Sequence, residues 1–295
     1  MALAPEALAR LTRLHLRTRV VVDGLLSGQH RSAHRGQSVE FAEHKEYSPG
    51  DEIRHIDWKA YGKFDRYYLK QYEQEANLRA TLVVDASASM AYGDGGGKLE
   101  LASVLAASLA TVLTRQQDLV GLAVWRNDRL AFWPPHGSPG HLRMLVEQLA
   151  EATPAGGTRL GAMANELAEK VHRRSMIVIL SDLFDSDPQG LGHLLSLRAR
   201  GHDLVVLHLL DRTELDFPFE DPQLFLSMED DRKLEVSPLE LRRGYLQELG
   251  RFLADTERLC QDRDCDYQRI VSDASPEAAL AELLGRRDRR GAARR

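Results

Sequence analysis

Asp85-Ala86-Ser87-Ala88-Ser89 sets one carboxylate and two hydroxyls at alternate positions, directly after the apolar run Ala80 to Val84. A tight turn at the end of a strand would let all three oxygens face one point. They are hard ligands, suited to Mg²⁺ or Mn²⁺ and poor for zinc. Two further candidates stand far along the chain. Thr158 follows Pro154-Ala155-Gly156-Gly157, a flexible loop opening a helix, and Asp182 follows the apolar run Met176 to Leu180. In an open α/β sheet, ligands gather beyond the C-terminal ends of strands, where the chain's direction around the sheet reverses. Two carboxylates and three hydroxyls from three loops therefore make one candidate cation site. Asp94, Asp185 and Asp187 add acidic surface beside it, and Asp94 and Asp185 are the candidates for contact with a partner.

Plainer readings exist for each part. Asp85 alone could cap a helix, with Ser87 or Ser89 ending a turn. The Gly93-Asp94-Gly95-Gly96-Gly97-Lys98 run is not a phosphate-binding P-loop, because Tyr92 stands where its first glycine belongs and Leu99 where it needs Ser or Thr. It reads as a mobile surface loop. No Gly-x-Ser-x-Gly surrounds Ser87 or Ser89 to suggest a serine hydrolase. A metal-dependent hydrolase of phosphoesters, with Asp85 as nucleophile, is the enzymatic alternative. Ser87 stands where that route generally needs a second acid. His30 and His34 read as a surface pair, and no His-Glu-x-x-His occurs. The expectation is a binding protein without turnover.

The elements that would position these residues follow from periodicity. Pro5 to about Leu25 reads as an amphipathic helix, and Val39 to Gln74 as a small β-rich unit around the Ser48-Pro49-Gly50-Asp51 turn. From Arg79, short apolar strands alternate with helices, which argues a doubly wound, mainly parallel α/β sheet covered on both faces. Expected strands are Ala80–Val84, Leu119–Trp125, Arg129–Trp133, Met176–Leu180, Asp203–Leu209 and Tyr267–Val271. Expected helices are Leu99–Thr114, His141–Glu151, Leu160–Arg173, Gly190–Ala199 and Pro238–Cys260. Leu224–Leu226 and Lys233–Val236 read as an added hairpin. The expected division is 1–78 for the N-terminal helix and β-rich unit, 79–284 for the main domain, and 285–295 for a frayed Arg-rich tail.

Composition narrows the function classes. With 295 residues, 28% charged, 43% hydrophobic and a net charge of −5, the chain lacks the basic field that nucleic-acid binding requires. Cys260 and Cys265 are too few for a disulfide framework or a zinc site, and fit a reduced pair in the cytosol. The first 25 residues are broken by charges, including Arg10, Arg13, Arg17 and Asp23, unlike a signal peptide, and no run of apolar residues suggests membrane insertion. The expected location is cytoplasmic.

Asp85-x-Ser87-x-Ser89 with distant Thr158 and Asp182 resembles the metal-ion-dependent adhesion site of von Willebrand factor A domains, over roughly Arg79 to Val271. Upstream, Arg35-Gly36, Phe41, Tyr47-Ser48-Pro49-Gly50-Asp51, Arg54 and Ile56-Asp57-Trp58 resemble a bacterial family called domain of unknown function fifty-eight. Its members are commonly encoded beside MoxR-type AAA+ ATPases. The resemblance implies direct metal contact by Ser87, Ser89 and Thr158, with Asp85 and Asp182 often acting through water. It also implies a protein partner, either a MoxR-type ATPase or a client it remodels. Leu183 departs from the glycine often found after the last aspartate in the wider superfamily.

Overall fold

In the computed structural model the apolar runs after Arg79 form a six-stranded sheet. The structure describes residues 5–29, 41–46, 61, 67–72, 78–221, 223–228 and 233–293. In chain order, helix α1 (Pro5–Gln29) precedes strands β1 (Phe41–Glu46) and β2 (Tyr68–Tyr72), then β3 (Arg79–Asp85) and helix α2 (Gly97–Arg115). Strands β4 (Leu119–Arg126) and β5 (Arg129–His136) form a hairpin, followed by α3 (Pro139–Glu151), α4 (Leu160–Lys170) and β6 (Met176–Ser181). Next come α5 (Gly190–Leu195), β7 (Asp203–Leu210), α6 (Arg212–Asp216) and the hairpin β8 (Gln223–Leu226) and β9 (Lys233–Val236). Helix α7 (Pro238–Asp262), β10 (Asp266–Val271) and α8 (Pro276–Ala293) complete the chain.

The sheet order is β10-β7-β6-β3-β4-β5, parallel except for the β4–β5 pair. Alternation along each strand sorts its side chains to opposite faces. Leu82 and Val84 of β3, with Val178 and Leu180 of β6, meet helices α1, α2, α3 and α8. Val83, Ile177 and Ile179 face the other way, toward α4, α5 and the end of α7. Strands buried on both faces explain the near-continuous apolar runs. The expected doubly wound architecture is therefore the one observed. Helix α2 is apolar and long enough to pass for a membrane span, but 83% of that window lies buried inside the domain.

Two compact units divide the chain, residues 1–27 with 78–295 and residues 28–77. Helix α1 belongs with the large unit because Leu14, Val21, Val22 and Leu25 enter its core. In the small unit β1 and β2 pair antiparallel, with a register shift between Phe41 and Glu43, and Tyr61 stacks on Tyr67 at 4.5 Å. The Ser48–Asp51 turn, Arg54, Asp57, Trp58, His30 and His34 lie outside the described residues.

The C-terminus differs from expectation. Helix α8 runs through Gly285 to Ala293, so most of the Arg-rich segment is helical rather than frayed. Arg287 pairs with Asp203 and Asp266, which anchors the first part of that segment beside β7 and β10.

Candidate functional site

Strand β3 is the centre of the sheet: the chain leaves it toward β4 on one side and returns through β6 on the other. The chain diverges at this point, where Asp85 closes β3 and Asp182 opens the loop after β6. Both carboxylates are fully buried, as is Ser87, while Thr158 is 2% exposed and Ser89 is half-buried. Of the two acidic flanking candidates, Asp94 is exposed in the glycine-rich loop. Asp185 is committed to the scaffold, its oxygens accepting the N–H groups of Leu160 (2.7 Å) and Asp187 (2.9 Å). It ties the β6 loop to the start of α4.

Backbone hydrogen bonds strap the loop after β3 to the loop before α4 and to the end of β4. Ala88 N–H donates to the carbonyl of Gly156 at 2.8 Å, Ala155 N–H to Ala86 at 2.9 Å, and Ala86 N–H to Trp125 at 2.8 Å. Gly156 adopts φ +79°, and a Cβ there would lie 2.8 Å from Asn127 Cα, so this approach requires glycine. The result brings Thr158 Oγ1 within 2.9 Å of Ser87 Oγ, which lies 3.1 Å from Ser89 Oγ. Asp85 stands behind them. Its Oδ1 accepts Ser87 N–H at 2.9 Å and its Oδ2 accepts the Ser181 hydroxyl at 2.6 Å.

Asp182 is held differently. Oδ1 accepts Phe184 N–H at 3.2 Å, and Oδ2 lies 2.8 Å from the ammonium of Lys98. Leu183 adopts φ +58°, the left-handed conformation that glycine takes up most readily. Its N–H donates to Ser181 Oγ at 2.9 Å. The Asp182 carbonyl accepts from His208 Nε2 at 2.8 Å, which fixes the proton on Nε2 and leaves Nδ1 to accept from the Tyr267 hydroxyl at 2.9 Å. Burial pushes the His208 pKa down to about 4, so the ring is neutral at physiological pH.

Lys98 corrects the reading of the glycine run as a mobile surface loop. Gly93 to Gly96 are exposed, but Gly97 and Lys98 are buried, and Lys98 Nζ also lies 2.6 Å from Glu214 Oε1. Burial opposes its charge, yet Asp182 and Glu214 outweigh burial and raise its pKa. Glu214 belongs to a capping box that starts α6: it accepts Asp211 N–H at 2.7 Å while Asp211 accepts Thr213 N–H at 2.9 Å. Lys98, Ser181, Glu214 and His208 were not among the candidates. The Asp211-x-x-Glu214 pattern was a readable signal for Glu214. So was a lysine opening an apolar helix, since a cation in the first turn opposes the helix dipole and needs a dedicated anion.

The turn that carries Lys98 rests on Gly97, at φ +68°, where a Cβ would collide with the carbonyl of Ala91. Gly97→Ala is expected to cost roughly 2–3 kcal/mol, from strain at positive φ and the clash together. Urea melts measure it; a cost below ~1 kcal/mol would show that the loop relaxes freely.

Asp85 carries the electrostatic signature of the site. Burial first, then the charge of Asp182, pushes its carboxyl up to about 7, against the hydrogen bonds from Ser181 and Ser87. Lys98 divides its charge between Asp182 and Glu214, while Asp85 feels the charge of Asp182. Among the described residues no cluster of three or more His, Cys, Asp or Glu could hold a metal, so a cation here would rely on the hydroxyls. Those hydroxyls, converging before Asp85, fit a hard divalent ion.

The site is thus a crevice at the C-terminal edge of a doubly wound, mainly parallel sheet, the architecture the sequence led us to expect. The chain belongs to the family described as protein of unknown function DUF58, which matches residues 43–251. It is 25% identical over 294 residues to the uncharacterized protein Rv1480 of Mycobacterium tuberculosis, covering 98% of this chain and 92% of that one. The same figures describe its similarity to the uncharacterized protein Mb1516 of Mycobacterium bovis. Among solved structures it is similar to BatB from Bacteroides thetaiotaomicron (TM-score 0.47, 16% identity, 71% of this chain and 98% of that one). It is also similar to an aerotolerance-related membrane protein from Bacteroides fragilis (TM-score 0.46, 17% identity, 71% and 98%).

Proposed function

We propose that this chain is a divalent-cation-dependent protein-interaction module of the cytoplasm, working with a MoxR-type AAA+ ATPase or a client of one. The observation that carries the reading is the meeting of Ser87, Ser89 and Thr158 oxygens, from loops 71 residues apart, in front of buried Asp85, whose carboxyl feels the charge of buried Asp182. Mg²⁺ or Mn²⁺ would be held by the three hydroxyls, with Asp85 and Asp182 balancing its charge directly or through water. A cation bound largely by neutral oxygens supplies uncompensated positive charge, which attracts a carboxylate from a partner. Asp94 and Asp187, exposed nearby, would repel that carboxylate without the cation, so association switches with metal.

A binding role is favoured over the hydrolase alternative by the hydrogen bonding of the hydroxyls. Ser87 bonds to Ser89 and Thr158, whereas His208, the buried histidine beside the β6 loop, spends its nitrogens on Asp182 O and Tyr267. A general base must reach the proton it takes. Phosphoester hydrolysis that disappears in Asp85→Ala would reverse this choice.

The chain, immobilised with Mg²⁺ in native lysate, is expected to capture a MoxR-type ATPase or its client and to release it in EDTA. Ser87→Ala and Thr158→Ala are expected to lower capture by about tenfold while remaining folded, since each deletes one oxygen and little apolar contact. Equal capture of that protein in EDTA would assign recognition to the surface instead of the metal.

A further inference from the structure

We infer that Lys98 is a built-in counter-cation that competes with the divalent ion for Asp182 and so sets the affinity of the site. The inference rests on the metal-site reading above. Its ground is geometric. The Lys98 side chain is fully buried, its ammonium 2.8 Å from Asp182 Oδ2 and 2.6 Å from Glu214 Oε1. The faces of Phe184 and Tyr92 lie 5.1 Å and 5.8 Å from it, so aromatic rings complete its surroundings.

Burying an ammonium is costly unless anions pay for it, and a helix's first turn is an unfavourable place for positive charge. A lysine there is explained by the carboxylates it holds. Both Asp182 oxygens are engaged, one by Phe184 N–H and one by Lys98. For Asp182 to turn toward a cation, or to hold a water against one, its bond to Lys98 must loosen. Glu214 makes that exchange feasible, since it keeps Lys98 paired while Asp182 is shared. It is anchored independently by the N–H of Asp211. Without metal, Lys98 compensates the site; with metal, its charge repels the ion. The device leaves binding weak and readily reversed, as a switch that follows the cation requires.

Isothermal titration with Mg²⁺ and with Mn²⁺ tests this on the full chain. Lys98→Met keeps a linear apolar stem and removes the charge. It is expected to tighten binding by about tenfold or more, the repulsion between a unit charge and a dication at close range. Lys98→Arg keeps the charge and is expected to give no tightening. Glu214→Gln keeps the capping box, leaves Asp182 as the remaining carboxylate on Lys98, and is expected to weaken binding about three- to tenfold, by more than Asp211→Asn, an equal change of charge at the neighbouring cap.

Binding by Lys98→Met alone, with wild type silent, would support the inference in its strongest form. If wild type binds, Ser87→Ala does not, and Lys98→Met binds no more tightly than wild type, the inference falls and the metal site stands. If neither ion binds any of these proteins, both fall. Should Lys98→Met fail to fold, Glu214→Gln decides: unchanged or tighter binding overturns the competition.

Discussion

In EDTA at pH 8, Asp85→Asn is expected to be more stable to urea than wild type by about 2–4 kcal/mol. The asparagine keeps an oxygen for Ser87 N–H and an amide for Ser181, and removes a charge that burial and Asp182 oppose. The carboxyl sits at about 7 in the folded chain against an ordinary 3.8, which sets a ceiling of about 4 kcal/mol. Between those values the folded state binds the proton more tightly than the unfolded state. Wild type therefore loses stability from this group as pH rises from 3.8 to about 7, and the advantage of the variant should vanish by pH 4.

His208 works in the opposite direction. Its folded value of about 4, against 6.5, means that stability from the neutral ring is lost as pH falls across that range. Wild type should thus vary little between pH 4 and pH 6.5, while Asp85→Asn, with His208 alone, should lose stability on acidification. Urea melts at pH 4, 6 and 8 measure both slopes. A variant no more stable than wild type at pH 8 would show that the buried carboxylate is already compensated.

The second large effect is expected at Trp125. Its ring is fully buried in the core cluster that includes α4, and its residue pairs in register with Asp85. Trp125→Ala removes the largest fully buried side chain and should cost about 3–5 kcal/mol by urea melt, from lost apolar burial and the cavity left behind. The indole N–H also donates to the carbonyl of Gly157 at 3.2 Å, one residue before Thr158. Trp125→Phe keeps most of the apolar volume and loses that bond. It is expected to cost about 1–2 kcal/mol and to weaken Mg²⁺ binding severalfold by freeing the Thr158 loop. A Trp125→Ala cost below ~1 kcal/mol would mean that the core collapses around the gap.

Local pattern carried the fold a long way. Buried parallel strands need apolar residues on both faces and helices need them on one, so β3, β6 and β7 and the helices between them stand out from their neighbours. The strands of the β4–β5 hairpin were readable too, separated by Arg126-Asn127-Asp128, where Asn127 and Asp128 adopt the positive φ of a tight turn. The extension of α8 through the Arg-rich segment was not, and α6 announced itself only by its capping pattern, Asp211-x-x-Glu214. Five residues of α6 carry no periodicity, and α8 is held by ion pairs to Asp203 and Asp266 that only the folded chain brings near.

At the site, donor chemistry could be read from residue types and spacing: Asp85, Ser87 and Ser89 on one turn, with Thr158 and Asp182 each following a recognisable loop or strand. Their convergence is a property of strand order. It places β6 beside β3 and brings Thr158 to Ser87 through backbone bonds such as Ala88 N–H to Gly156 O. Charge balance was decided at the tertiary level. Lys98 looked like the end of a polar glycine loop, because sequence shows a residue's type and not what surrounds it. Packing α2 onto the sheet buries that ammonium between Asp182 and Glu214, 84 and 116 residues away. Low dielectric then makes those contacts, which no local spacing encodes, the dominant electrostatic interactions of the site.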